Sequence, residues 1–254
     1  MKIWQDYELT VNGLAQHVRY NRATVDNLFI PLLEKLAGIY RKTNRRTILF
    51  LVAPPATGKS TLTLFLEKLS RERDDLIPVQ AVGMDSFHYH ADFIKSHYVM
   101  RDGAKLPMAQ VKGCPETFDA EKLRQKLAAL RGEAVTFPIY DRTIHDVVED
   151  ALTVDGKIIL LEGNWLLLKD ERWKDMRRFA DYTLAIKADL AILKQRLIQR
   201  KVQGGLSLEA ATAFVEKSDT YNVERTLNDS ADADEVWQML DDNDYVILHE
   251  GGNF

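Results

Sequence analysis

The run Thr47-Ile48-Leu49-Phe50-Leu51-Val52-Ala53-Pro54-Pro55-Ala56-Thr57-Gly58-Lys59-Ser60-Thr61 decides how this chain reads. Thr47 to Val52 is apolar throughout, too short for a helix of its own, and closed by Pro54-Pro55; it reads as a buried parallel strand. Thr61 to Arg73 follows with helical, amphipathic spacing. Between them, residues 53–60 fit the phosphate-loop pattern, with Ala53 at the first glycine position. The residue types give the reason. Pro54 and Pro55 lack N–H groups and stiffen the way into the loop. The amides of Ala56, Thr57, Gly58, Lys59, Ser60 and Thr61 can then ring an anion, helped by the positive end of the helix that starts there. Gly58 lets the backbone come close, Lys59 supplies a point charge for β- and γ-phosphates, and the Ser60 hydroxyl suits Mg²⁺. Pro55 through Thr61 is therefore the expected ATP-binding set.

The pattern continues outward on both sides. Tyr7 to Val11, Asn12-Gly13 and Leu14 to Tyr20 read as a β-hairpin, because Asn-Gly supplies the positive-φ pair of a tight turn. Val25, Leu28, Phe29, Leu32, Leu33, Leu36 and Ile39 mark a helix over Thr24 to Thr43. Downstream, Ile77 to Gly83, Lys157 to Leu161, Tyr182 to Ile186 and Tyr245 to Leu248 read as strands. Phe118 to Leu130 and Leu190 to Val202 read as helices, the second stopped by Gly204-Gly205, and Ser207 caps another. Ala231 to Leu240 fits neither template. Strands alternating with helices imply a parallel sheet covered on both faces, with ligands beyond the strands' carboxyl ends.

The 254 residues carry 46% hydrophobic and 28% charged side chains, an ordinary globular balance. A formal net charge of −4 is a poor match for a nucleic-acid coat. One cysteine, Cys114, excludes an internal disulfide and a multi-cysteine zinc site. No apolar run approaches the roughly 20 residues of a membrane span, and the start lacks a secretion-type apolar segment. A cytoplasmic address and a small-molecule partner are the expectation, and composition leaves a homodimer open.

The stretches Gly83-Met84-Asp85-Ser86-Phe87-His88, Lys112-Gly113-Cys114-Pro115-Glu116-Thr117-Phe118-Asp119, Pro138-Ile139-Tyr140-Asp141-Arg142 and Leu161-Glu162-Gly163-Asn164-Trp165 come after the phosphate loop in that order. Together they resemble the phosphoribulokinase/uridine kinase/pantothenate kinase group of P-loop kinases, nearest its nucleoside/nucleotide-kinase-like and fructose-kinase-like branch. The likeness covers about residues 45 to 230. It implies a three-layer α/β kinase fold over residues 46–254 with a mainly parallel central sheet and a helical lid at about 190–220. Residues 1–45 then form a hairpin-plus-helix extension outside the shared core.

The resemblance also implies roles. Asp85 follows a strand near the γ-phosphate, where a carboxylate can orient an acceptor hydroxyl and take its proton. Glu162 ends a buried strand, where it can hold Mg²⁺ with Ser60 or face the acceptor. Tyr140 and Arg142 supply an aromatic face and a guanidinium for an acceptor, with His88, Tyr89 and Lys112 beside them. Arg196 and Arg200, four apart on one helix, can reach the triphosphate and act with Lys59 and Asp85 in catalysis. His88, His90 and His97 match no zinc spacing.

The expected reaction is γ-phosphoryl transfer from ATP·Mg²⁺ to a hydroxyl of a sugar, nucleoside or related metabolite. A pantothenate-like or phosphosugar acceptor is the nearby alternative. A P-loop switch is disfavoured because no Asn-Lys-x-Asp guanine signature occurs and no aspartate follows the apolar strand before Glu162. A regulator without catalysis is disfavoured by the retention of Lys59, Ser60, Asp85 and Glu162.

Overall fold

The computed structural model describes residues 2–11, 14–101, 103–141 and 143–252. The expected Asn12-Gly13 turn and Arg142 lie outside the described residues. The strands flanking that turn are β1 (Trp4–Val11) and β2 (Leu14–Asn21), antiparallel with Tyr7 opposite Val18. A helix over residues 22–43, α1, comes next; its second turn, Val25–Phe29, widens to i→i+5 bonding. Pro31 explains the widening, since it has no N–H for the carbonyl four residues back.

The core is a six-stranded sheet built on β3 (Thr47–Val52), whose six residues are all buried. The phosphate loop leads into α2 (Lys59–Arg71), then β4 (Val79–Gly83). The short α3 (Ala91–Ser96) and the small hairpin of β5 (Tyr98–Arg101) and β6 (Ala104–Pro107) come next. After α4 (Ala120–Ala129), β7 (Val135–Asp141) and β8 (Asp146–Val154) pair as a second outlying ribbon. The chain returns through β9 (Ile158–Gly163), β10 (Tyr182–Lys187), α5 (Leu190–Gln203) and a helix over residues 208–229, α6. It ends with β11 (Ala233–Met239) and β12 (Tyr245–Gly252). The strand order is β12-β11-β10-β3-β9-β4, parallel except for β12.

Alternation along the strands divides the core into two. Leu49 and Leu51, Ile158 and Leu160, and Leu184 and Ile186 face α1, α2 and α5. Ile48, Phe50 and Val52, with Ile159 and Leu161, face the opposite layer of Leu123, Leu127, Trp165 and Trp173. A strand buried on both faces must be apolar at every position, which is why β3 and β9 read so plainly. The hairpin joins the first of these cores: Tyr20 lies 4.3 Å from Phe65 of α2, and Phe29 of α1 lies 5.8 Å from Trp237 of β11.

Some boundaries differ from the sequence expectation. The second strand begins at Val79 rather than Ile77, with Pro78, which has no donor for the ladder, just before it. Residues 231–240, which matched no template, contain β11. Its Glu235 is buried, where Lys35 Nζ donates at 2.7 Å and Trp237 Nε1 at 2.6 Å. Ser207 caps its helix as expected, accepting from the Ala210 amide at 3.2 Å.

Candidate active site

Register brings the chemistry to one edge. Glu162 of β9 lies opposite Leu51 of β3 on one side and Gly83 of β4 on the other. The three strands therefore end level, and the segments leaving them converge: the phosphate loop after β3, Gly163 at the end of β9, and the Met84–Phe87 turn carrying Asp85 after β4. Gly163 is required by this convergence. A Cβ there would sit 2.6 Å from the Met84 Cβ, so the strand end and the turn approach closer than any side chain permits.

The loop itself is held from inside and outside. The Pro54 carbonyl accepts from the Thr57 hydroxyl at 2.9 Å. Ala56 and Gly58 both adopt left-handed backbone, φ +68° and +83°, with a residue between them that does not. Alternating signs of φ turn successive amides toward one point, an anion nest. Arg196 of α5 donates to the Ala56 carbonyl at 3.0 Å and to the Asn243 side chain, so this guanidinium braces the loop. Lys59 and Arg200 have no ion-pair partner among the described residues. A cavity of about 370 Å³ is lined by Ala56 and Gly58 to Thr61, with Arg196, Arg200 and Gln16 across from them. Thr57 is buried and faces a neighbouring cavity, while Pro55 is on neither wall.

On the other side of Ser60 a second cavity, about 300 Å³, is lined by Asp85, Glu162, Tyr140, Thr63 and Ser60 itself. The Ser60 hydroxyl donates to the buried Glu162 carboxylate. Asp85 is exposed, and its carboxylate has no hydrogen bond or ion pair among the described residues. His88 Nδ1 lies 2.9 Å from the Asp85 carbonyl oxygen, and its ring lies 5.6 Å from that of Tyr140. Lys112 Nζ donates to the Tyr140 hydroxyl at 2.7 Å. His88 and Lys112 thus flank the cavity through Tyr140. Tyr89 is turned away: its hydroxyl accepts from Arg172 at 3.2 Å and its ring stacks on Phe93. His90 is taken up by Glu149 at 2.9 Å and His97 stacks on Phe93. No group of three or more His, Cys, Asp or Glu side chains able to hold a metal occurs among the described residues.

Sequence reasoning missed two groups here. Thr63 and Gln16 line the two cavities, the first because it is one helical turn past Ser60, the second because a hairpin far upstream folds over the loop. Behind Lys112, the Gly113 carbonyl accepts from Trp165 Nε1 at 3.1 Å, and a Cβ on Gly113 would be 3.9 Å from the Asn222 amide nitrogen. Asn222 is 3% exposed, and its Oδ1, like Asn164 Oδ1 and Arg101 Nη2, is buried without a hydrogen-bond partner among the described residues. Cys114 is inert packing: burial, with Glu116 beside it, pushes its thiol up to about 12.

No family model matches the chain. It is 41% identical over 239 residues to the uncharacterized protein YggC of Escherichia coli (strain K12), spanning 94% of this chain and 97% of that protein. It is 28% identical over 225 residues to a "putative uridine kinase" of Schizosaccharomyces pombe, spanning 86% and 92%. The crystal structure of a "putative fructose transport system kinase" from a Silicibacter species superposes with a TM-score of 0.70 at 27% identity, over 81% of this chain and 98% of that one.

The chain belongs to the phosphoribulokinase/uridine kinase/pantothenate kinase group of P-loop kinases. As a kinase of this group it is a phosphotransferase with a hydroxyl acceptor. The three-layer α/β architecture of this P-loop kinase and its mainly parallel sheet agree with the sequence reading. No helix among its described residues is long and apolar enough to cross a membrane.

Proposed function

We propose that the protein transfers the γ-phosphoryl group of ATP to a hydroxyl of a sugar, nucleoside or similarly hydroxyl-rich metabolite. The observation that carries this reading is the position of Ser60, which lies on the wall of both cavities. Ser60 therefore stands between the phosphate nest and the pocket containing Asp85. An acceptor hydroxyl in that pocket gives its proton to the Asp85 carboxylate as its oxygen bonds to the γ-phosphorus, and the bond to the β-phosphate oxygen breaks to release ADP. Lys59 and Arg200 offset the charge on the phosphates, and Arg196 keeps the loop in shape.

The adjoining Ser60 hydroxyl and Glu162 carboxylate fit Mg²⁺: two hard oxygen donors from the protein, leaving room for water and phosphate oxygens. Mg²⁺ held by Ser60 and Glu162 would supply positive charge to offset that of the phosphates. Tyr140, with Lys112 on its hydroxyl, orients the acceptor. The relatives described as uridine and fructose-system kinases support a hydroxyl-rich acceptor.

The test is ADP release from Mg²⁺-ATP across a panel of sugars, nucleosides and pantothenate, wild type against Asp85→Asn. One compound class should stimulate the wild type, and the variant should lose about 10²–10⁴-fold in kcat. Its stability should stay within about 0.5 kcal/mol, since no partner of Asp85 is lost. A wild type that no hydroxylated compound stimulates above the variant would overturn the assignment.

A further inference from the structure

A further cavity is lined by neither Asp85 nor Lys59. It measures about 460 Å³, starts at Thr57, Gly58 and Thr61 of the phosphate loop, and extends away from the Asp85 pocket. Its far walls are β2 on one side and the turn between β11 and β12 on the other. Gln16 lies on this cavity and also on the one beside Lys59 and Arg200, so the two compartments meet at its side chain. A volume of this size lies within the ordinary range for a small-molecule site, roughly 300–1,000 Å³.

We infer that the N-terminal hairpin forms the outer wall of the compartment for the nucleoside half of the phosphate donor, with Trp4 and Gln16 as the contacting side chains. The inference rests on the donor reading given above and adds a recognition role for an element outside the shared kinase core. Three features carry it. First, five successive residues of β2, 16 to 20, line the cavity. Side chains alternate along a strand, so an unbroken run of five presents the strand's edge. In a two-stranded sheet that edge has no strand partner, and its amides and carbonyls are free to meet a base.

Second, Trp4 brings an aromatic face to the wall. The Arg19 guanidinium lies 5.4 Å and the Lys2 ammonium 5.7 Å from the centre of that indole. An aromatic ring backed by cations suits a nucleobase, which offers a π-face whatever its sequence identity. Third, the compartment is built in advance. Asn21, at the end of β2, donates to Asp244 at 2.9 Å, and Thr24 donates to the same carboxylate. The β11–β12 turn is in turn tied through Asn243 to Arg196 and hence to the loop.

The experiment compares binding of ATP and of inorganic tripolyphosphate by titration calorimetry in the full-length protein carrying Trp4→Ala or Gln16→Ala. Trp4→Ala should weaken ATP about tenfold or more, the size of one lost base–aromatic stack. Gln16→Ala should weaken it in the same direction, and tripolyphosphate should bind the Trp4→Ala variant within about twofold of wild type, because it has no base to lose and Trp4 is not on the wall beside Lys59. Gln16 is exposed, so its removal does not threaten the fold. Unchanged ATP affinity in both variants would overturn the inference, as would a loss for tripolyphosphate equal to that for ATP in Trp4→Ala. Lys59→Ala separates the two levels: if it leaves ATP and tripolyphosphate binding intact, the donor reading itself falls, and the hairpin's role with it.

Discussion

Asp244 is the residue on which the N-terminal hairpin hangs, and replacing it with alanine tests that arrangement directly. The residue is 4% exposed. One carboxylate oxygen accepts from Asn21 Nδ2 at 2.9 Å and lies 3.0 Å from Lys2 Nζ; the other accepts from the Thr24 hydroxyl and the Tyr245 amide. Asn21 and Thr24 are both buried, so Asp244→Ala leaves two polar groups without partner or water. Each such group costs about 1–3 kcal/mol, and the pair about 2–6 kcal/mol. For a chain of 254 residues, a loss of 1 kcal/mol lowers Tm by about 2–4 °C. A fall of at least about 4 °C is expected, with a lower urea midpoint and an unchanged m-value. The effect should also depend on pH. Burial pushes the Asp244 carboxyl up, but hydrogen bonds from Thr24, Asn21 and Lys2 outweigh it and hold the group below its usual 3.8. A depressed carboxyl contributes fully above its unfolded value and loses that contribution as pH falls through the folded one. The gap between wild type and variant should therefore be full at pH 6 and narrow below about pH 4. A variant within about 0.5 kcal/mol of wild type at pH 6 would refute the reasoning.

Three further outcomes rest on single positions. Gly58→Ala places a Cβ on a backbone at φ +83°, which costs about 1–2 kcal/mol in urea denaturation and puts a methyl group where the phosphates must lie, so calorimetric ATP affinity should drop at least tenfold. Gly163→Ala drives its Cβ to 2.6 Å from Met84, an overpacking cost of about 1–3 kcal/mol, and should depress turnover further than stability explains because Glu162 and the Asp85 turn are pushed apart. Cys114 should resist iodoacetamide at pH 8 in the native protein, since burial holds its thiol at about 12, and should react at once in urea; rapid native alkylation, detected by mass spectrometry, would contradict the packing described.

How much could be read from the sequence depended on how local its physics is. The phosphate loop is self-contained: its amides, Gly58, Lys59 and Ser60 act within eight residues, so their pattern carries their chemistry. The strands β3 and β9 are apolar at every core position because both faces are covered. By contrast β11 hides behind Asp234 and Glu235. A glutamate in a central strand is tolerated only because Lys35, 200 residues away, reaches it, and no local pattern announces that. The β7–β8 ribbon is masked differently, by Pro138 at a register shift between Phe137 and Ile139 and by the acidic residues of β8. Among the acceptor-side candidates, Tyr140 lines the cavity while Tyr89 turns to Arg172, a difference of side-chain direction set by packing that motif order does not encode.

The two faces of the sheet also divide the labour. The walls of the Asp85 pocket come from β4, α2, Thr10 of β1 and the β7–β8 ribbon, which packs with Phe87 in the core under α4. The walls of the donor side come from α5, the β11–β12 turn and the hairpin, which share the opposite core with α2. The two cores are separated by the sheet and meet at the phosphate loop, where Ser60 belongs to both compartments. Substitutions in the ribbon should thus move acceptor parameters and spare ATP, and those at residues 16–20 of β2 should do the reverse. Ser60, on the wall of both compartments, and Glu162, which accepts its hydrogen bond, should move both together, because residues that share a contact network couple.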